Sequence, residues 1–200
     1  VLERAALFPL SKDPDSLPMK KSELLARLDR LNTDLDEFLT ELQSHDQSVL
    51  DRRPAEGRWS VMDVLHHLHL AEGYAHKYIA KKLSFDPDIP KADLSSRLRT
   101  SLMRAFFASP TRRKAPEAVN TPSFPEGVPL NQLREDWLGQ RRSLYEYLQT
   151  LDEKWMNKQV YKHPFAGRLT LDGMLTFFES HLARHKKQIK RTLAEVGSAA

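Results

Sequence analysis

The chain has 200 residues, of which 40% are hydrophobic and 29% charged, with a formal net charge of +4 and a pI near 9.3. This is the balance of a globular domain with a sizeable core, and such mild basicity admits anionic ligands without arguing for nucleic acid. There is no cysteine, which excludes disulfides, zinc–thiolate sites and a protein thiol as nucleophile.

Residues 1–18 carry Pro9, Pro14 and Pro18 without periodicity and read as an irregular N-terminal arm. Leu7 and Phe8 in this arm are expected to pack on the body. Residues 1–10 include Glu3 and Arg4 and do not read as a secretory signal. No apolar run reaches the ~18–20 residues of a membrane span. The expectation is a cytoplasmic protein with no membrane partner. Over residues 19–45, Leu24, Leu28, Leu31, Leu35, Phe38 and Leu42 recur at helical steps of three and four. Arg53-Pro54-Ala55-Glu56-Gly57 then breaks the pattern.

A second helix is expected over residues 60–84, with Ser60 as N-cap and Asp63 completing a capping box. Its apolar face runs Val61, Val64, Leu65, Leu68, Ala71, Ala75, Tyr78, Ile79. Leu94, Leu98, Leu102 and Phe106 predict a shorter helix over 92–108. Five prolines between Pro110 and Pro129 mark a long irregular connection over 109–129, either a crossover or a lid over a site. A third long helix over 130–152 shows Leu130, Leu133, Trp137, Leu144, Tyr147, Leu148 and Leu151 on one face. Thr170 caps a fourth over 171–193, with Leu171, Leu175, Phe178, Leu182, Ile189 and Leu193 in its seam. The fold class is therefore all-α: a four-helix bundle over residues 19–195 with one long crossover and one short extra helix.

Two histidines interrupt the seam of the fourth helix. His181 and His185 are four residues apart, which puts both imidazoles on one face a turn apart. A partly buried imidazole needs a hydrogen-bond partner or a metal, and histidine is the commonest metal ligand. One helix supplies only two ligands, so a third must come from elsewhere. The second helix offers His66, His67 and His69. A helical wheel puts His67 on the flank of the apolar face, His66 on the far side, and His69 on the opposite flank with His76. His67 lies about 10 Å from the start of its helix and His185 about 12 Å from the end of the fourth, so antiparallel packing would bring them level. Histidine pairs at this spacing also occur on solvated faces and as satisfied core groups.

Trp59-Ser60, His67-Leu68 and Glu72, followed by His163-Pro164-Phe165-Ala166-Gly167-Arg168-Leu169-Thr170-Leu171, Phe177-Phe178 and His181 to Ile189, resemble the signatures of the DinB/YfiT-like metalloprotein superfamily. The first matches its second-helix pattern, and the second its closing pattern G-x-L-T-L, then H-x-x-x-H-x-x-Q-I. The resemblance covers residues 20–193. It implies a four-helix bundle with a long crossover and a divalent metal, zinc or nickel, held by His67, His181 and His185. It also implies a homodimer. It gives no match for residues 1–18 or 109–129.

Three neutral imidazoles leave open positions on a metal, the arrangement of a catalytic site. The expected activity is transfer of a low-molecular-weight thiol, a cosubstrate that would supply the sulfur this chain lacks, to an electrophile. The alternatives are hydrolysis by metal-bound water and a non-catalytic metal- or small-molecule-binding bundle. Glu72 is a candidate catalytic residue that orients a ligand or water, although a plain helix carboxylate fits its position as well. Gln188 is expected to be structural. His163 is read as a plain loop histidine, the alternative being a place near the mouth of the site. Arg141 and Arg142 are read as solvated or as contacts to an anionic cosubstrate. Lys186, Lys187, Lys190 and Arg191 are read as complementing a helix C-terminus, with no nucleic-acid partner.

Overall fold

The computed structural model describes residues 19–110 and 116–198. Among these residues six α-helices are formed: α1 (Lys21–Leu42), α2 (Gln47–Asp51), α3 (Val61–Leu83), α4 (Leu94–Ala108), α5 (Leu130–Thr150) and α6 (Leu171–Gly197), with a hairpin of β1 (Tyr161–His163) and β2 (Gly167–Leu169) before α6. The two helices that carry the histidines, α3 and α6, start at side-chain caps. Ser60 accepts from the Asp63 amide at 3.0 Å while the Asp63 carboxylate accepts from the Ser60 amide at 2.9 Å. Thr170 accepts from the Gly173 amide at 3.0 Å, which starts α6 immediately after the hairpin.

α3 is the central helix, buried continuously from Val61 to Leu68. Arg58, just before α3, bonds Glu195 near the end of α6, so α3 and α6 run antiparallel. One core cluster packs Leu35, Leu39, Val64, Leu65, Leu68, Leu133, Trp137 and Leu182. The other packs Leu24, Leu28, Ile79, Leu144, Leu148, Leu175 and Phe178. Each such side chain contributes about 1.5–3 kcal/mol on burial. Among the described residues no helix is long and apolar enough to cross a membrane.

Four features differ from the expected pattern. α2 is a single turn that buries Leu50, in the stretch between the expected first helix and the breaker at 53–57, where no element is expected. The segment before α6 pairs as a hairpin in the register Tyr161↔Leu169, Lys162↔Arg168, His163↔Gly167; Gly167 takes φ +77°, a conformation that favours glycine. α6 continues to Gly197, so Lys186, Lys187, Lys190 and Arg191 lie inside the helix rather than at its C-terminal dipole. Lys186 instead lies over the Phe38 ring at 4.7 Å. α4 turns Ser96 and Met103 inward and leaves its leucine row outside. Close approach to α6 explains this: a Cβ on Gly173 would lie 3.0 Å from both Leu169 Cβ and Thr100 Oγ1, so small side chains must face this contact. The expected arm over residues 1–18 lies outside the described residues, as does 111–115 of the connection.

Arg141 is not a surface cation. It is fully buried and bonds both Glu72 oxygens at 2.7 Å, while its remaining nitrogen donates to the Leu31 carbonyl at 2.9 Å. Trp137 Nε1 donates to the same carboxylate at 2.7 Å. One guanidinium thus ties α5 to α3 and α1 between the two core clusters. Removing one partner strands the other charge in the core. Arg141→Ala is expected to lower stability by about 3–5 kcal/mol, read as a reduced urea midpoint, with Arg142→Ala on the exposed face near neutral.

Candidate metal centre

His67 projects from the buried N-terminal third of α3, and His181 and His185 from the middle of α6. Antiparallel packing brings the three to one level, with their ligand atoms all within 4.8 Å of one another. The tautomers are set by their outer partners. His67 Nδ1 donates to the Val119 carbonyl at 2.7 Å, an oxygen that can only accept. His185 Nδ1 donates to Gln188 Oε1 at 2.9 Å. Both rings therefore present a bare lone pair at Nε2. These two nitrogens lie 3.0 and 3.1 Å from His181 Nε2.

A single imidazole proton on His181 cannot serve both neighbours, whereas one cation serves all three nitrogens. Nitrogens bound at 2.0–2.1 Å in a tetrahedral set stand roughly 3.3 Å apart, close to the two separations observed. The residues present therefore fit a divalent ion, with His67, His181 and His185 as the donor set. Burial is the largest cause lowering the pKa of each ring; for His181 the neighbouring rings of His185 and His67 lower it further, and His185 is brought to about 3. All three are held in the neutral form that binds metal.

Aromatic rings wall the cluster. Trp59 lies 5.0 Å from His67 and is fixed by a 3.1 Å bond from its Nε1 to Thr121 Oγ1. Phe124 packs edge-on to Trp59. Phe107 of α4 lies 5.1 Å from His181, and Phe177 stacks on the same ring at 5.0 Å. His181 Nδ1 is buried without a hydrogen-bond partner, so no outer partner sets the tautomer of that imidazole. The connection between α4 and α5 makes two short 3-10 turns, Glu117–Val119 and Thr121–Ser123, whose backbone and side chains contact His67 and Trp59.

The other expected residues fall into place around this centre. Glu72, expected to orient a ligand or a water, has its carboxylate taken up by Arg141 and Trp137. His66 is buried against Phe124 rather than on a far face, His69 lies beside Trp137, and His76 lies beside Tyr147. His163 is a buried strand residue, not a loop residue. Its Nδ1 accepts from the Phe165 and Ala166 amides at 3.2 and 3.1 Å, closing the hairpin turn. Its ring abuts Phe177 at 4.7 Å, and burial lowers its pKa to about 4.

Residues 27–189 match the family model described as the DinB superfamily. The chain belongs to the DinB superfamily. No curated protein and no solved structure matches it. In this DinB chain the sequence pattern offered no sign of Val119, which acts through its backbone carbonyl, or of Phe107 and Phe124, which reach the site only through the tertiary fold. Gln188 was more legible, three residues after His185 on the same helix. Outer partners that fix a ligand tautomer typically change metal affinity 10–100-fold when lost. Gln188→Leu is expected to weaken zinc binding by at least about tenfold in chelator competition, with helical content unchanged.

Proposed function

We propose that this DinB protein is a divalent-metal-dependent enzyme that transfers a low-molecular-weight thiol to an electrophilic small molecule. The reading rests on three buried histidines whose ligand atoms lie within 4.8 Å of one another, two of them with Nε2 bare, among aromatic rings. A divalent ion held there supplies a Lewis acid that lowers the pKa of a bound thiol or water. The chain's own residues hold the donor set neutral, fix its geometry and surround it with rings that favour an apolar substrate portion.

Two features favour thiol transfer over hydrolysis. The chain has no cysteine, so sulfur chemistry at the site takes its nucleophile from a cosubstrate. Among the described residues, no carboxylate converges with the three histidines to serve as a general base for water, and Glu72 is engaged by Arg141. In the net reaction a carbon–sulfur bond forms, and the thiol proton is released to solvent or to the displaced group.

The test uses the cobalt-loaded full chain, titrated with a panel of small thiols and then assayed with electrophiles and with esters. A thiol-dependent visible spectrum and thiol-dependent turnover, both lost in His185→Ala, are expected. An unchanged spectrum with every thiol would sink the transfer reading. Ester turnover without thiol would establish the hydrolase, and binding without any turnover a non-catalytic bundle.

A further inference from the structure

His163 leaves half of its hydrogen-bonding capacity unused. Its Nδ1 accepts from the Phe165 and Ala166 amides, so the neutral ring carries its proton on Nε2. The two ring nitrogens point nearly opposite ways, which directs the Nε2 proton away from the hairpin turn. Among the described residues no group accepts it. The residue is only 4% exposed, on the inward side of β1, which packs on α3 and α6. A buried N–H without an acceptor costs free energy, and closing the turn does not explain it, because an asparagine or serine oxygen closes such turns as well. The ring neighbours of His163 are also those of the metal centre. Phe177 lies 4.7 Å from His163 and 5.0 Å from His181; Phe107 lies 6.2 Å from the first and 5.1 Å from the second. A charge on His163 is felt at His181.

We propose that His163 is a substrate-binding residue of the metal centre: its Nε2–H donates to a neutral carbonyl oxygen of the electrophile, whose apolar portion lies against Phe107 and Phe177. This rests on the metal-dependent reading above and names the class of molecule that the site takes. Small-molecule sites combine apolar walls with a few polar groups that set orientation, and here one donor of fixed tautomer stands beside two rings. A neutral acceptor is favoured over a carboxylate. One uncharged N–H satisfies a carbonyl, whereas a buried anion needs a charged partner. Burial is the one cause that lowers the His163 pKa, so no charged group among the described residues is paired with it.

Two substitutions separate this role from closing the hairpin. His163→Asn keeps an acceptor near the Nδ1 position for the turn amides and removes the far donor; His163→Gln does the reverse, keeping an N–H near the Nε2 position. The full chain, isotopically labelled at its histidine nitrogens, is titrated both zinc-loaded and metal-free. The probes are acetophenone and α-methylstyrene, which has a methylene group in place of the carbonyl oxygen. The parent is expected to prefer acetophenone by roughly three- to tenfold, with the His163 Nε2 proton resonance moving downfield. His163→Gln should keep a preference that His163→Asn loses. No preference in the parent, a parent-like preference in folded His163→Asn, or loss in His163→Gln alone would overturn the proposal. Tighter His163-dependent binding of benzoate would overturn it too, by marking an anion site. A chain that binds no zinc, or shows no thiol-dependent turnover, yet keeps the His163-dependent preference would contradict the metal-dependent reading while supporting His163 as the donor.

Discussion

Three imidazole nitrogens converge in a dry interior, two of them as bare lone pairs, and much of this bundle is arranged around them. The Val119 carbonyl and the Gln188 amide each take an imidazole proton on the outer side, which leaves the inner Nε2 atoms of His67 and His185 without one. His181, packed between Phe107 and Phe177, completes the set. A polar group buried without a partner costs about 1–3 kcal/mol, a cost that a cation bound by the three histidines would offset.

The rest of the fold can be read as support for that convergence. Antiparallel α3 and α6 must keep register to within a fraction of a turn, since one residue's rise is 1.5 Å. The Asp63 capping box and its Arg53 ion pair start α3 at a fixed point. The hairpin and Thr170 do the same for α6. Between the two core clusters, the buried Glu72–Arg141 pair locks α5 to α3 less than two turns beyond His67. A charged pair in that position adds little net stability over an apolar one, but its bidentate geometry permits a single arrangement of the helices.

The four long helices were legible because their apolar residues recur at three and four, and Ser60 and Thr170 announced two of the starts. The histidine pair on α6 was legible for the same reason: it breaks an apolar seam at a spacing that shares one face. What the pattern could not convey was which apolar row faces inward when a helix carries two. In α4 the three leucines form the more apolar row, yet Ser96, Thr100 and Met103 face inward, with Thr100 at the close approach to Gly173. Arg141 was hidden similarly, since an arginine on an amphipathic helix looks solvated until a carboxylate on another helix is placed opposite it. Val119 contributes a carbonyl, which every residue has.

Metal content is the most direct measurement on the account as a whole. The untagged full chain and its His67→Ala and His181→Ala variants are incubated with zinc or nickel, freed of loosely held ions and analysed for metal per folded chain. One divalent ion in the parent and little in either variant is the expected result, because each substitution removes a third of the donor set. A parent that retains no ion, or variants that retain as much as the parent, would contradict the three-histidine centre and the function built on it.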